Sequence, residues 1–144
     1  MNILCVCTGN TCRSPMLATL IARAAVAAGR SDVQVASAGT GAADGEGASE
    51  GARAAMARRG LDLALHRSRR LGPALLADVD LVLCMSSSHA AAVRAHGMPA
   101  RAIRVVNAEG GGVPDPFGGD DDEYEACARV LEHAAGALVA ALPR

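Results

Sequence analysis

The chain is 144 residues long, 51% hydrophobic, with a net charge of -1. That length fits one domain, 1–144, and is too short for two. The near-balance of charge excludes a role dominated by nucleic acid or an anionic membrane surface, since both need a large basic excess.

With one Phe, one Tyr and no Trp, the core is expected to consist of Ala, Leu and Val. All 14 basic residues are Arg. No apolar run approaches the roughly 18 residues of a membrane span. The start, Met1-Asn2-Ile3-Leu4, carries neither a basic region nor a cleavage pattern, so the expected location is cytoplasmic. Five cysteines, Cys5, Cys7, Cys12, Cys84 and Cys127, are an odd number. In a reducing compartment they read as catalytic, redox-active or buried thiols and not as a disulfide framework.

Asn2 to Val6 is a short apolar run of the buried-strand kind. A polar turn follows, and then Ser14-Pro15, which predicts a serine-capped helix over Met16 to Ala28. Val33 to Ala38 is a second strand, and Gly39 to Gly47 a small-residue loop. Ala48 to Arg59 is a helix stopped by Gly60. Arg67 to Leu76 holds a short helix around Gly72-Pro73, with Arg67, Arg69 and Arg70 on a solvated face. Val79 to Met85 is a third strand, and Ser86-Ser87-Ser88 caps a helix over His89 to His96, both of whose histidines face solvent. Ala102 to Val106 is a fourth strand, Glu109 to Gly119 a Gly/Pro loop, and Asp122 to Leu142 the last helix, capped by Asp120-Asp121-Asp122. The alternation implies an α/β fold, a parallel sheet with helices on both faces, in which ligands bind at the carboxyl ends of the strands.

Cys7-Thr8-Gly9-Asn10-Thr11-Cys12-Arg13-Ser14 is a cysteine, five residues and an arginine between a strand and a helix. A tight loop of this length turns backbone N–H groups inward as an anion nest, and the following helix adds its positive end. Arg13 offers a planar fork for two phosphate oxygens. Cys7 then lies at the floor of a phosphate-sized bowl as an activated thiolate, with the Ser14 hydroxyl able to donate to it. A thiolate that displaces an alkoxide or amine needs a general acid. Asp115, in Val113-Pro114-Asp115-Pro116-Phe117, is the candidate, held by flanking prolines.

Strand, CTGNTCRSP, helix and a late DPF resemble the low-molecular-weight protein phosphatase family, as do Ser37-Ala38-Gly39-Thr40, His66-Arg67-Ser68-Arg69 and Asp80-Leu81-Val82-Leu83 with Met85. The resemblance implies a four-stranded parallel sheet flanked by helices, phosphorylated protein substrates, and no metal or cofactor. It implies attack by Cys7 on phosphorus, protonation of the leaving group by Asp115, and hydrolysis of the phosphocysteine. Asn10 matches the position that supports the loop geometry, and His66 a histidine that braces the loop. Thr11, Phe117 followed by Gly118-Gly119, and a Tyr a few residues later resemble the protein arginine phosphatase branch. Tyrosine-specific members carry a branched aliphatic residue in place of Thr11 and further aromatic walls after the Asp-Pro pair. Phosphoarginine is therefore the first expectation and phosphotyrosine the alternative.

Three other readings rank lower. Thioredoxin-coupled arsenate reductases share the fold and a similar loop, but Met85 to Gly97 holds no second cysteine to follow Cys84. A phosphate-binding module without turnover would lack the nucleophile or the acid. A zinc site over Cys5, Cys7 and Cys12 has the wrong spacing and no nearby His. Cys12 could also resolve an oxidised Cys7 as a disulfide. The expected oligomeric state is a monomer.

Overall fold

A computed structural model describes residues 1–144. The elements run β1 (Asn2–Cys7), α1 (Arg13–Ala27), β2 (Gln34–Gly39), α2 (Glu50–Ala57), α3 (Pro73–Leu76), β3 (Leu81–Cys84), α4 (Ser87–Ala95), β4 (Ile103–Val105) and α5 (Asp121–Ala141), with single 3-10 turns at Ala100–Ala102 and Ala108–Gly110. The four strands form one parallel sheet in the order β2-β1-β3-β4.

The alternation along β1 explains the layering. Ile3, Cys5 and Cys7 belong to the larger core with residues of α1, α2 and α5, while Leu4 and Val6 join Leu76, Val82 and Val93 in the smaller one. Both faces of β1 are therefore buried, as an unbroken apolar run in a central parallel strand requires. Aliphatic, alanine, methionine and cysteine side chains fill most of the larger core, with Tyr124 as its single aromatic. The strand order reverses direction between β1 and β3, so a crevice opens beyond their carboxyl ends. The Cys7–Arg13 loop leaves β1 there.

Three local expectations are corrected. Ser14 does not cap α1: the helix begins at Arg13, with Cys12 as an N-cap that makes no side-chain hydrogen bond. Its hydroxyl is instead committed to the loop, as described below. Arg67 to Arg70 is not helical. This segment runs alongside the end of β2, where Gly39 N–H donates to Arg69 O and Leu71 N–H donates to Gly39 O, and only Pro73–Leu76 forms a helical turn. His89 is the third, being 5% exposed while His96 remains at the surface. The acidic cap of α5 is as expected, with Asp120 accepting from Glu123 N–H at 2.9 Å.

Candidate active site

Five residues return the chain from Cys7 to the start of α1. None of the backbone N–H groups from Thr8 to Cys12 finds an acceptor within the chain. Successive free donors ahead of an open helix N-terminus make a site of positive potential. Cys7, Thr8, Gly9, Thr11, Cys12, Arg13, Asp115 and Phe117 line a cavity of about 230 Å³ there.

Asn10 holds the loop in shape. Its φ of 56° lies in the left-handed region, uncommon for a residue with a side chain. The position is held because the residue is buried and fully bonded. Its Nδ2 donates to Ser14 Oγ at 2.8 Å and to Ser37 Oγ at 2.9 Å, and its Oδ1 accepts from Arg69 N–H at 2.9 Å. His66 Nε2 donates to its carbonyl at 2.6 Å. Gly39 permits the loop to lie this close: a Cβ there would collide with the Thr8 carbonyl oxygen and sit 2.9 Å from Asn10 N.

Ser14 Oγ lies 2.9 Å from Cys7 Sγ. Because Ser14 Oγ already accepts from Asn10 Nδ2, its own hydrogen is left for the Cys7 sulfur or for Ala38 O, 3.5 Å away. Arg13 is buried, and its guanidinium is only partly used. Nη1 donates to Val113 O at 2.9 Å and Nη2 stands 3.6 Å from Asp115 Oδ2. Its Nε is the one buried side-chain nitrogen or oxygen without a partner. An orphaned buried donor costs roughly 1–3 kcal/mol, more for a charged group, unless a ligand supplies the acceptor.

Asp115 comes from the opposite wall. Its side chain is half exposed, and Oδ1 accepts from Phe117 N–H at 3.1 Å. Val113 N–H donates to Met85 O at 2.8 Å, joining this loop to the end of β3. Phe117 stands 70% exposed at the rim. Thr11 is half-buried, with Oγ1 3.7 Å from Cys12 Sγ. Cys12 packs under the loop, its Sγ donating to Ser49 Oγ at 3.2 Å and lying 3.4 Å from Tyr124 Oη.

A family model for low molecular weight phosphotyrosine protein phosphatases matches residues 2–144. The chain belongs to this family. A protein-arginine-phosphatase of Geobacillus stearothermophilus is 36% identical over 136 residues, covering 91% of this chain and 88% of the relative. A low molecular weight protein-tyrosine-phosphatase of Streptomyces coelicolor is 35% identical over 149 residues, covering 95% and 90%. Among solved structures, the YwlE arginine phosphatase in its C7S form, with a phosphorylated active site serine, superposes with a TM-score of 0.90 at 34% identity, covering 97% of this chain and 94% of that one. The protein is thus a low molecular weight protein phosphatase, and its four-stranded parallel sheet is that family's fold.

Within the phosphatase, Cys7, Arg13, Ser14, Asn10, His66 and Asp115 converge on one cavity or on the loop that forms it. The remaining thiols stand apart. Burial pushes the Cys84 and Cys127 thiols up to about 12 and raises Cys5 still further, so all three stay protonated. Sequence reasoning missed His89. Its Nε2 lies 2.8 Å from Thr8 Oγ1 and its Nδ1 2.9 Å from Ser86 Oγ. Burial, reinforced by the charge of Arg13 and partly offset by Asp115, holds the imidazole below the usual histidine range. The available signal was Ser86: as N-cap of α4 it places residue 89 at the third helical position, whose side chain reaches back to the cap. No helix of the chain is long and apolar enough to cross a membrane.

Proposed function

We propose that residues 1–144 form one phosphatase domain that hydrolyses phosphoarginine in proteins through a phosphocysteine on Cys7. The observation that carries the chemistry is the pairing of free loop N–H groups and the orphaned Arg13 Nε with a thiol bonded to Ser14. Phosphoryl oxygens satisfy those donors, which places phosphorus over Cys7 Sγ. In the first step the S–P bond forms and the P–N bond to the guanidino group breaks, while Asp115 gives its proton to the departing nitrogen. In the second, water forms a new O–P bond and its proton returns to Asp115. The S–P bond breaks, restoring the thiolate and releasing inorganic phosphate. Ser14 stabilises the departing thiolate in that step, and His66 and Asn10 hold the loop.

Two features support the guanidino substrate. Thr11 puts a hydroxyl on the wall where a branched aliphatic side chain would pack against a phenol ring, and Gly118-Gly119 follow Phe117 without a second aromatic wall. Half-exposed Asp115 at the cavity mouth can pair with the guanidinium. Phosphotyrosine is the competing substrate, favoured by the exposed Phe117 ring as one face for a phenol. The arsenate-reductase reading is disfavoured by Cys84 and Cys127, which lie buried in β3 and α5.

The test is kcat/KM on matched peptides carrying phosphoarginine or phosphotyrosine, with Cys7→Ser as the blank. The proposal expects a preference for phosphoarginine that falls on the order of tenfold in Thr11→Ile, as one polar contact allows. A preference for phosphotyrosine that Thr11→Ile leaves unchanged contradicts the substrate assignment. We also assign Cys12 as the thiol that can close a disulfide on oxidised Cys7. If Cys12→Ser recovers as completely as the unaltered protein after peroxide and then dithiothreitol, that role fails.

A further inference from the structure

We propose that His89 is a positioning residue for the reaction at Cys7: by holding the Thr8 hydroxyl from the α4 side, it fixes the first peptide of the phosphate loop. The inference rests on Cys7 as the nucleophile and is independent of which phosphorylated side chain is cleaved.

Thr8 immediately follows the nucleophile, lines the cavity and carries the first of the free N–H groups. On one side the chain here is held by the loop after β2. Thr40 N–H donates to Cys7 O and Gly41 N–H to Thr8 O, both at 2.9 Å. The Thr8 methyl lies over Gly41, where an added Cβ would be 3.7 Å from it. The other side has one polar contact, the 2.8 Å bond between Thr8 Oγ1 and His89 Nε2. Thr8 is thus oriented with its methyl toward Gly41 and its hydroxyl toward His89.

His89 stands on a rigid base. Ser86 Oγ accepts from His89 N–H at 3.3 Å and lies 2.9 Å from Nδ1, so the imidazole is bound at both ring nitrogens. Met85 N–H donates to Val6 O, which ties the start of α4 to β1 itself. The path Val6–Met85–Ser86–His89–Thr8 therefore leaves the central strand one residue before Cys7 and returns one residue after it. Losing the His89 contact leaves the Thr8 peptide held from one side only, and its N–H must then be ordered when phosphate binds. Catalytic geometry held within a fraction of an ångström is sensitive to such loosening.

The experiment is a double-mutant cycle over Thr8→Val, which keeps the side-chain shape, and His89→Ala. It reads kcat and KM on p-nitrophenyl phosphate, inhibition by inorganic phosphate, and Tm. Each single variant is expected to lower kcat/KM and weaken phosphate inhibition on the order of tenfold. The double variant should be no worse than the weaker single one, because both remove the same bond. His89→Gln, whose amide reaches toward the Nε2 position, should recover most of the loss. Additive losses, or an unchanged kcat/KM in Thr8→Val, overturn the proposal. If His89→Ala fails to fold, Thr8→Val with His89→Gln decides. Cys7→Ser, run alongside, separates the two levels: turnover surviving in it refutes the phosphatase chemistry at Cys7, whereas phosphate affinity still reports on Thr8 and His89.

Discussion

The loop after Cys7 and the loop bearing Asp115 close one cavity from opposite walls, and they are held in opposite ways. The first is buried and cross-braced. Asn10 alone makes four hydrogen bonds to Ser14, Ser37, Arg69 and His66. The second is largely exposed and is stiffened by Pro114 and Pro116, with Val113 as its main tether to Met85 and Arg13. The difference matches the two tasks proposed for them. A cradle for a dianion must exist before the phosphate arrives, because turning unordered N–H groups inward costs part of the binding energy. A general acid must meet leaving groups of different shape, so an exposed carboxyl on a stiff loop is sufficient. Arg13 joins the two walls through the Val113 carbonyl while keeping Nε free for substrate.

Substitutions should separate the walls. Among substitutions that leave Cys7 in place, the largest effect is expected at the acid. Asp115→Asn should lower kcat about 10² to 10³-fold on phosphoamino acid peptides. It should cost less on p-nitrophenyl phosphate, whose leaving group needs little protonation, and leave phosphate inhibition nearly intact. Equal losses on both substrates would break the assignment of Asp115 as proton donor. On the other wall, Asn10→Ala should show the reverse pattern, with weakened phosphate inhibition and a stability loss on the order of 2–4 kcal/mol in denaturant unfolding. Asn10→Gly, which tolerates the left-handed backbone but lacks the amide, should recover only the smaller share. If Asn10→Ala binds phosphate normally, the loop does not depend on its bracing.

The smallest effect is expected far from both walls, at Glu125. Arg59 and Arg58 bond its carboxylate and hold it down to about 2, well below the ordinary 4.5. A carboxylate depressed in the folded state adds stability that is complete above its ordinary value and disappears as pH falls toward the folded one. Glu125→Gln should therefore lower Tm modestly at neutral pH, and the gap should close between about pH 4.5 and 2, with kcat unchanged throughout. A gap that persists at pH 2 would mean that packing, and not the ion pairs, carries the effect.

Much of this arrangement is legible in the residues themselves. The apolar runs identify the four strands, and the spacing from Cys7 to Arg13 marks the loop whose free N–H groups meet the cavity. Where the reading fails, a tertiary contact outweighs a local rule. Ser14 before Pro15 reads as a helix cap, yet Asn10 and Cys7 claim its hydroxyl, and α1 starts without a side-chain cap. Arg67 to Arg70 reads as a helix face, but pairing with Gly39 and Asn10 draws it out straight. His89 reads as exposed because helical spacing alone relates it to His96. Its burial depends on where α4 leaves β3, which no local pattern reports.

The most direct test of Cys7 as the covalent centre is rapid acid quench during turnover, followed by mass analysis of the peptide spanning Asn2 to Ser14. The reading predicts one phosphoryl group on Cys7, formed before product release and absent from Cys7→Ala, which should lose at least about 10⁴-fold in kcat. Steady turnover by Cys7→Ala, or a phosphoryl group on another residue, would contradict it.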